Sequence, residues 1–291
     1  MTPYNYRKAA TLADAVAARG QPGTFLLAGG TDLIAQMKSG HRAPVNVIDV
    51  KSIPELANVQ ATADGGLEIG AAVCASKLAQ NDTIRQRHAA LHDSVQLIGS
   101  LQIQNRASIG GNVCNAAPSA DAAPALIVDA AQARIAGPDG ERTIVLEDLF
   151  AGPGRTTLAE GELLVSLVLP EPDGRSASAY LRFTPRREMD IAVVGAAARI
   201  SVDGNNNITG ARVSLASVAP TPIRAPAAEA ALVGAPVSGA TFAAAATAAQ
   251  TDATPISDTR GSAEYRTELV AVLVRRALEQ CAARLNVEIS Q

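Results

Sequence analysis

The stretch LLAGGTDLIAQMKSG, residues 26–40, places Gly29 and Gly30 between an apolar run and a segment of helical character. Upstream, TFLLA (24–28) reads as a strand. Downstream, Thr31 or Asp32 can cap a helix over LIAQMKSG, with Gly40 as its stop, and VNVIDV (45–50) reads as a buried strand. The glycine pair therefore sits at a strand-to-helix turn. Glycine admits positive φ and removes the Cβ that would hold a ligand away from the main chain. A helix N-terminus adds unpaired N–H donors and a partial positive charge, which suits a phosphate. Taken alone, the same pair is also an ordinary turn.

A second pair, Gly110 and Gly111, lies in ASIGGNVCNAAPSAD, residues 107–121. Ser108, Asn112, Asn115, Ser119 and Asp121 gather around it, and most side chains there are small. Such a loop can lie flat against a ligand and offer amides, hydroxyls and one carboxylate. Asp121 can accept two hydrogen bonds from a ribose diol, or cap the helix AAPALIVDAA that follows. No GxxxxGK[ST] or GxGxxG pattern occurs, so neither a P-loop nor a Rossmann fingerprint is present.

The 291 residues suffice for two or three modest domains. Apolar residues at 47% and charged residues at 18% indicate a globular chain. No apolar run reaches the roughly 18 residues of a membrane span, and MTPYNYRKAATLADAV lacks the layout of a secretory signal. A cytoplasmic location is expected. A net charge of −3, with no basic run and no Trp, disfavours nucleic-acid binding. Cys74, Cys114 and Cys281 are far apart and offer no metal-ligand spacing, so the chain carries no cluster of its own.

Three segments emerge. Residues 1–55 hold a polar helix from Thr11 to Arg19 and the first glycine turn. Residues 56–174 hold the strand GLEIGAAV, a long helical stretch from Ser76 through HAALHDSVQLIG, the second glycine loop, and a hairpin over AQARIAGPDGERTIVL. PEPDGRSAS is the linker. Residues 175–291 hold two strands across an Asp-Gly-Asn turn, then three helices. The last helix carries Leu269, Val272, Leu273, Ala277 and Leu278 at helical spacing, so that face is expected to pack on the sheet. FAGPGRTTL (150–158) reads as a turn, PRREMD (185–190) as a charged loop, and His88 with His92 as a solvated helix face. No Ser-His-Asp or Cys-His set stands out, and no catalytic acid or base is assigned.

Taken together and in order, LAGGTDLI, ASIGGNVCNAAPSAD, TTLAEGELL, PRREMDIAVV, APTPIRAPAAE and GSAEYRTELVAVLVRRAL resemble the FAD-binding medium subunit of molybdenum hydroxylases, the xanthine dehydrogenase and carbon monoxide dehydrogenase family. The resemblance covers essentially the whole chain. It implies an α+β fold: two FAD-binding subdomains of the vanillyl-alcohol oxidase (PCMH) type, plus a C-terminal subdomain with an antiparallel sheet and helices.

It also implies that both glycine loops clasp the FAD pyrophosphate. Leu27, Ala28, Gly29, Gly30, Thr31, Asp32, Leu33 and Ile34 match the first loop. Ser108, Gly110, Gly111 and Asn112 match the second, and Asp121 matches the position that holds the adenosine ribose. Ile98 or Gly99, and Leu158 or Val165, match positions near the flavin or adenine. Arg182 stands where many relatives have lysine. Molybdopterin and [2Fe-2S] clusters would reside on partners, a large molybdenum subunit and a small iron–sulfur subunit, in a dimer of heterotrimers. The four-cysteine insertion of some relatives is absent. A stand-alone FAD-dependent reductase of the same fold, and a nucleotide-binding scaffold without redox activity, are the rival readings.

Overall fold

The computed structural model describes residues 2–290. The chain builds three main sheets in succession. The first is parallel and three-stranded. It comprises β1 (Asn5–Lys8), β2 (Thr24–Leu27) and β3 (Asn46–Asp49), with β3 in the centre. Helix α1 (Leu12–Arg19) is capped by Thr11, whose side chain accepts from the Asp14 amide, and it buries Ala15 and Ala18. Helix α2 (Leu33–Lys38) follows the first glycine pair. Strand β1 was not expected from the sequence. All four of its residues are exposed, so no apolar alternation marks it.

The second sheet is antiparallel, in the order β4 (Val59–Ala61), β5 (Leu67–Gly70), β10 (Leu163–Leu169), β6 (Gln132–Gly137), β7 (Gly140–Val145). The β6–β7 pair is the expected hairpin. Short helices accompany this sheet: α3 (Pro54–Ala57), α4 (Ala75–Ala79), α5 (Asp82–Arg87), α6 (Ala89–Val95), α7 (Leu101–Gln104), α8 (Ile109–Cys114) and α9 (Ala122–Val128). A small hairpin, β8 (Phe150–Gly152) with β9 (Arg155–Thr156), projects from it.

The long helix expected from Ser76 is instead three helices. Asn81 ends one turn and starts the next by accepting from the Ile84 amide. His88 leaves helical geometry (φ −129°, ψ 53°), and its ring meets Asp129 at 3.0 Å. His88 is 1% exposed, so the solvated-face reading does not hold for it.

The third sheet is antiparallel: β11 (Ser176–Phe183), β12 (Val194–Val202), β13 (Ile208–Ala216) and β14 (Ile223–Arg224). Helices α10 (Pro226–Leu232), α11 (Gly239–Asp252) and α12 (Ala263–Arg284) cover it. The turn between β12 and β13 closes on Asp203, whose carboxylate accepts from the Asn205 and Asn207 amides at 2.8 Å. In α12, Leu273, Ala277 and Leu278 are buried as expected, together with Val270 and Val274. Val272 instead faces outward, at 36% exposed.

The third sheet docks on the second unit through arginines. Arg182, Arg199 and Arg212, one from each of β11, β12 and β13, reach Asp121, Asp129 and Glu147, and Arg284 of α12 reaches Asp93. Tyr180 and Ala197 of the third sheet join the hydrophobic core of the second unit.

Candidate functional site

The two glycine loops, 81 residues apart from Gly29 to Gly110, meet in space. A Cβ at Gly29 would run into the carbonyl oxygen of Arg106 and the Cα of Ala107. Residues 107–110 are in turn laced to 71–75: Ala75 N–H donates to the Ala107 carbonyl, Ile109 N–H to Val73, and Gly110 N–H to Ala71, each at 2.9 Å. A Cβ at Gly110 would strike the Ala71 backbone. Close passage of protein backbone therefore requires glycine at both Gly29 and Gly110. Gly30 differs: its φ of +78° is the left-handed conformation that other residues resist.

The loops also differ in what they offer. The N–H groups of Gly29, Gly30, Thr31, Asp32 and Leu33 have no acceptor among the described residues. This is a run of main-chain donors at the start of α2, the arrangement that binds anions. Neither Thr31 nor Asp32 caps α2 with its side chain, contrary to the sequence expectation. In the second loop the donors are used internally. Ile109 and Gly110 N–H go to the carbonyls of Val73 and Ala71, in the turn after β5, Gly111 N–H to Ser108 Oγ at 3.2 Å, and Asn112 N–H to the Ser108 carbonyl at 2.9 Å. What that loop retains is side-chain chemistry: the Ser108 hydroxyl proton, and Asn112 Oδ1, a buried oxygen without a partner. Leu26, Leu27, Ala28 and Leu33 are partly exposed beside the donor run, and Ile34 is 41% exposed.

Asp121 closes the second loop. It occupies the N-cap position of α9 but makes no cap bond. Its carboxylate turns instead to β11. Tyr180 Oη donates to Oδ1 at 2.7 Å, and Arg182 Nη1 donates to Oδ2 at 2.5 Å. Burial pushes this carboxyl up to about 6, against the opposing pull of the Arg182 charge and the Tyr180 and Arg182 hydrogen bonds. The same burial, with the neighbouring carboxylate, raises the Tyr180 phenol, which stays neutral. The structure thus brings Asp121 and Arg182 together. Tyr180 was missed from the sequence, although its spacing of two from Arg182 on a strand puts both side chains on one face.

The remaining sequence candidates separate. Gly99 adopts φ +56°, and its carbonyl accepts from Met189 N–H of the 185–190 loop at 3.2 Å. That loop is self-tied, with Asp190 accepting from the Arg186 amide and Arg186 Nη2 donating to the Met189 carbonyl. Ile98 is nearly buried, and Leu158 packs partly exposed against the same core. Val165 is wholly buried in another cluster with Ile53 and Leu56, so its side chain presents no surface to a ligand. Two supports of the second loop were not foreseen. Gly154 N–H donates to the Ala116 carbonyl at 2.9 Å, and Ser217 N–H to the Pro118 carbonyl at 2.8 Å. Among the described residues no group of three or more His, Cys, Asp or Glu side chains could hold a metal ion. Desolvation pushes the thiols of half-buried Cys114 and buried Cys281 up to about 12.

A run of main-chain donors at a helix start suits the diphosphate of a nucleotide. Comparison with known proteins agrees with that chemistry. Residues 2–172 match the model of the FAD binding domain in molybdopterin dehydrogenase, and residues 179–281 match the CO dehydrogenase flavoprotein C-terminal domain. The chain is 36% identical over 283 residues to the putative xanthine dehydrogenase FAD-binding subunit of Escherichia coli, covering 96% of each chain. It is 31% identical to the carbon monoxide dehydrogenase medium chain of Hydrogenophaga pseudoflava, covering 97% of this chain and 98% of that one. A solved carbon monoxide dehydrogenase structure from that organism superposes with a TM-score of 0.92 over 98% of this chain and 99% of that one, at 32% identity. Quinoline 2-oxidoreductase from Pseudomonas putida superposes with a TM-score of 0.90 at 26% identity, over 97% and 98% of the two chains.

Proposed function

Because this chain belongs to the family of FAD-binding medium subunits of xanthine dehydrogenase- and carbon monoxide dehydrogenase-type molybdenum hydroxylases, we propose that it is the electron-transfer subunit of such a complex. Its partners would be a small subunit with [2Fe-2S] clusters and a large subunit with the molybdenum cofactor, in a dimer of heterotrimers located in the cytoplasm. The two glycine loops would hold FAD, which would supply the redox chemistry linking the molybdenum subunit to an external acceptor. The chain itself binds, orients and shields the cofactor.

The observation that carries this reading is the run of unpaired N–H groups from Gly29 to Leu33, set against the second glycine loop. These donors would hold the diphosphate, with the Ser108 hydroxyl and Asn112 completing the cradle. Asp121 would take the adenosine ribose, beside Arg182. Ile98, Gly99 and Leu158 would line the flavin or adenine edge. The segments 1–55 and 56–174 would form the two halves of the FAD site, and 175–291 would brace them. Expression of the chain together with the genes that flank its own tests the assembly. Co-purification with one iron–sulfur chain and one molybdenum chain is expected. A yellow protein that stays alone and turns over NADPH with a substrate would overturn the subunit assignment in favour of a stand-alone reductase.

A further inference from the structure

We propose that Tyr180 is a positioning residue for the cofactor's adenosine ribose: its buried hydroxyl fixes the Asp121 carboxylate so that the remaining acceptor sites meet the ribose diol. The inference rests on the assignment of Asp121 to that ribose.

Three observations support it. The first is placement. Tyr180 is 1% exposed, and the one partner of its hydroxyl among the described residues is Asp121 Oδ1 at 2.7 Å. A phenylalanine would fill the same volume, so the hydroxyl is explained by the carboxylate it touches. The second is accommodation. Gly195 of β12 lies opposite Arg182 in the strand register, and a Cβ there would stand 2.6 Å from the Tyr180 hydroxyl oxygen. The strand next to β11 thus leaves room for that oxygen.

The third is the division of donors. An ionised carboxylate has about four acceptor sites. Tyr180 takes one on Oδ1 and Arg182 one on Oδ2. A neutral donor on one oxygen orients the group without cancelling the charge that attracts the diol protons, as a second arginine would. The Asp121 side chain remains one-tenth accessible. Tyr180 and Arg182 both come from the C-terminal sheet, so that sheet sets the geometry of a carboxylate belonging to the second glycine loop.

The test uses the full chain stripped of flavin, titrated calorimetrically with ADP and with 2′,3′-dideoxyadenosine diphosphate. The wild-type chain is expected to prefer ADP by about tenfold or more, the scale of hydrogen bonds to a charged acceptor. Tyr180→Phe should weaken ADP binding by about tenfold, leave the dideoxy analogue within about twofold, and so collapse the preference. Gly195→Ala, which pushes on the hydroxyl from behind, should do the same. The preference is a ratio measured on folded protein, so a change in overall stability does not mimic it. If wild type prefers ADP and both variants keep that preference, the positioning role of Tyr180 is refuted while Asp121 keeps its assignment. If wild type binds both diphosphates equally, the ribose assignment of Asp121 itself fails.

Discussion

At Gly110 and Gly29 the missing side chains leave room for protein backbone, and this changes what substitution there should do. Gly110→Ala puts a methyl group against Ala71, and Gly29→Ala puts one against Arg106. Each should cost about 1–3 kcal/mol of stability through overpacking against atoms that cannot rotate away. Flavin loss in these variants should track unfolding in a thermal melt. Flavin loss from a fully stable Gly110→Ala chain would show that the methyl group meets the cofactor instead.

Asp121 and Asp129 give opposite dependences on pH. The Asp121 carboxyl is raised from its ordinary 3.8 to about 6. Its contribution to the stability of the chain is therefore complete below about pH 4 and is lost as pH rises through 6. A ribose diol, however, needs the carboxylate. FAD affinity should accordingly rise about tenfold per pH unit up to 6 and level off above it, as read from dissociation constants between pH 5 and 8. A flat profile would return Asp121 to a purely structural role. Burial alone would raise Asp129 too, but Arg199 and His88 together hold it below the ordinary range. Its contribution is present above about pH 4 and disappears as pH falls through that lowered value.

The sequence disclosed the glycines, Ser108, Asn112 and Asp121 because small and polar residues were crowded into two short loops. It did not disclose that Asp121 would face Tyr180 and Arg182. That contact spans about sixty residues of chain and depends on how two units dock.

At the scale of elements, the junction between β12 and α9 is the most informative. Arg199 donates to Asp129 at 2.7 and 3.0 Å, with both side chains buried. Arg199→Met would leave that carboxylate in the interior without its guanidinium, with the His88 ring still against it. A loss of about 3–5 kcal/mol is expected from urea unfolding, as for other buried pairs broken on one side. Arg199→Met paired with Asp129→Leu should recover most of it, because an apolar pair removes the buried charge as well. Failure of the double variant to recover would locate the cost in packing instead of charge.

Elements with a strong local signal were legible: the β6–β7 hairpin around Pro138-Asp139, the β12–β13 turn at Asp203, and the long amphipathic α12. Those without one were not. Strand β1 is solvent-facing throughout and exists only by pairing with β3. The break at His88 coincides with its contact to Asp129, forty-one residues away.

For the whole molecule, the account divides labour between this chain and its partners. The isolated subunit loaded with FAD should be reducible by dithionite yet inert toward the substrate of the complex, and adding the two partner subunits should restore substrate-dependent bleaching of the flavin. Replacing Cys74, Cys114 and Cys281 together by serine should leave that electron transfer intact, apart from the cost of burying hydroxyls. Bleaching of the isolated subunit by an organic substrate at catalytic rates would end the subunit model. The central claim is narrower: one FAD per chain, its diphosphate held by the main-chain donors of the first glycine loop. Amide hydrogen exchange across residues 29–33, with and without FAD, tests it most directly. The account predicts strong slowing confined to this segment and to the neighbouring second loop, at one equivalent of FAD. Stoichiometric FAD binding that leaves the exchange of residues 29–33 unchanged would contradict it.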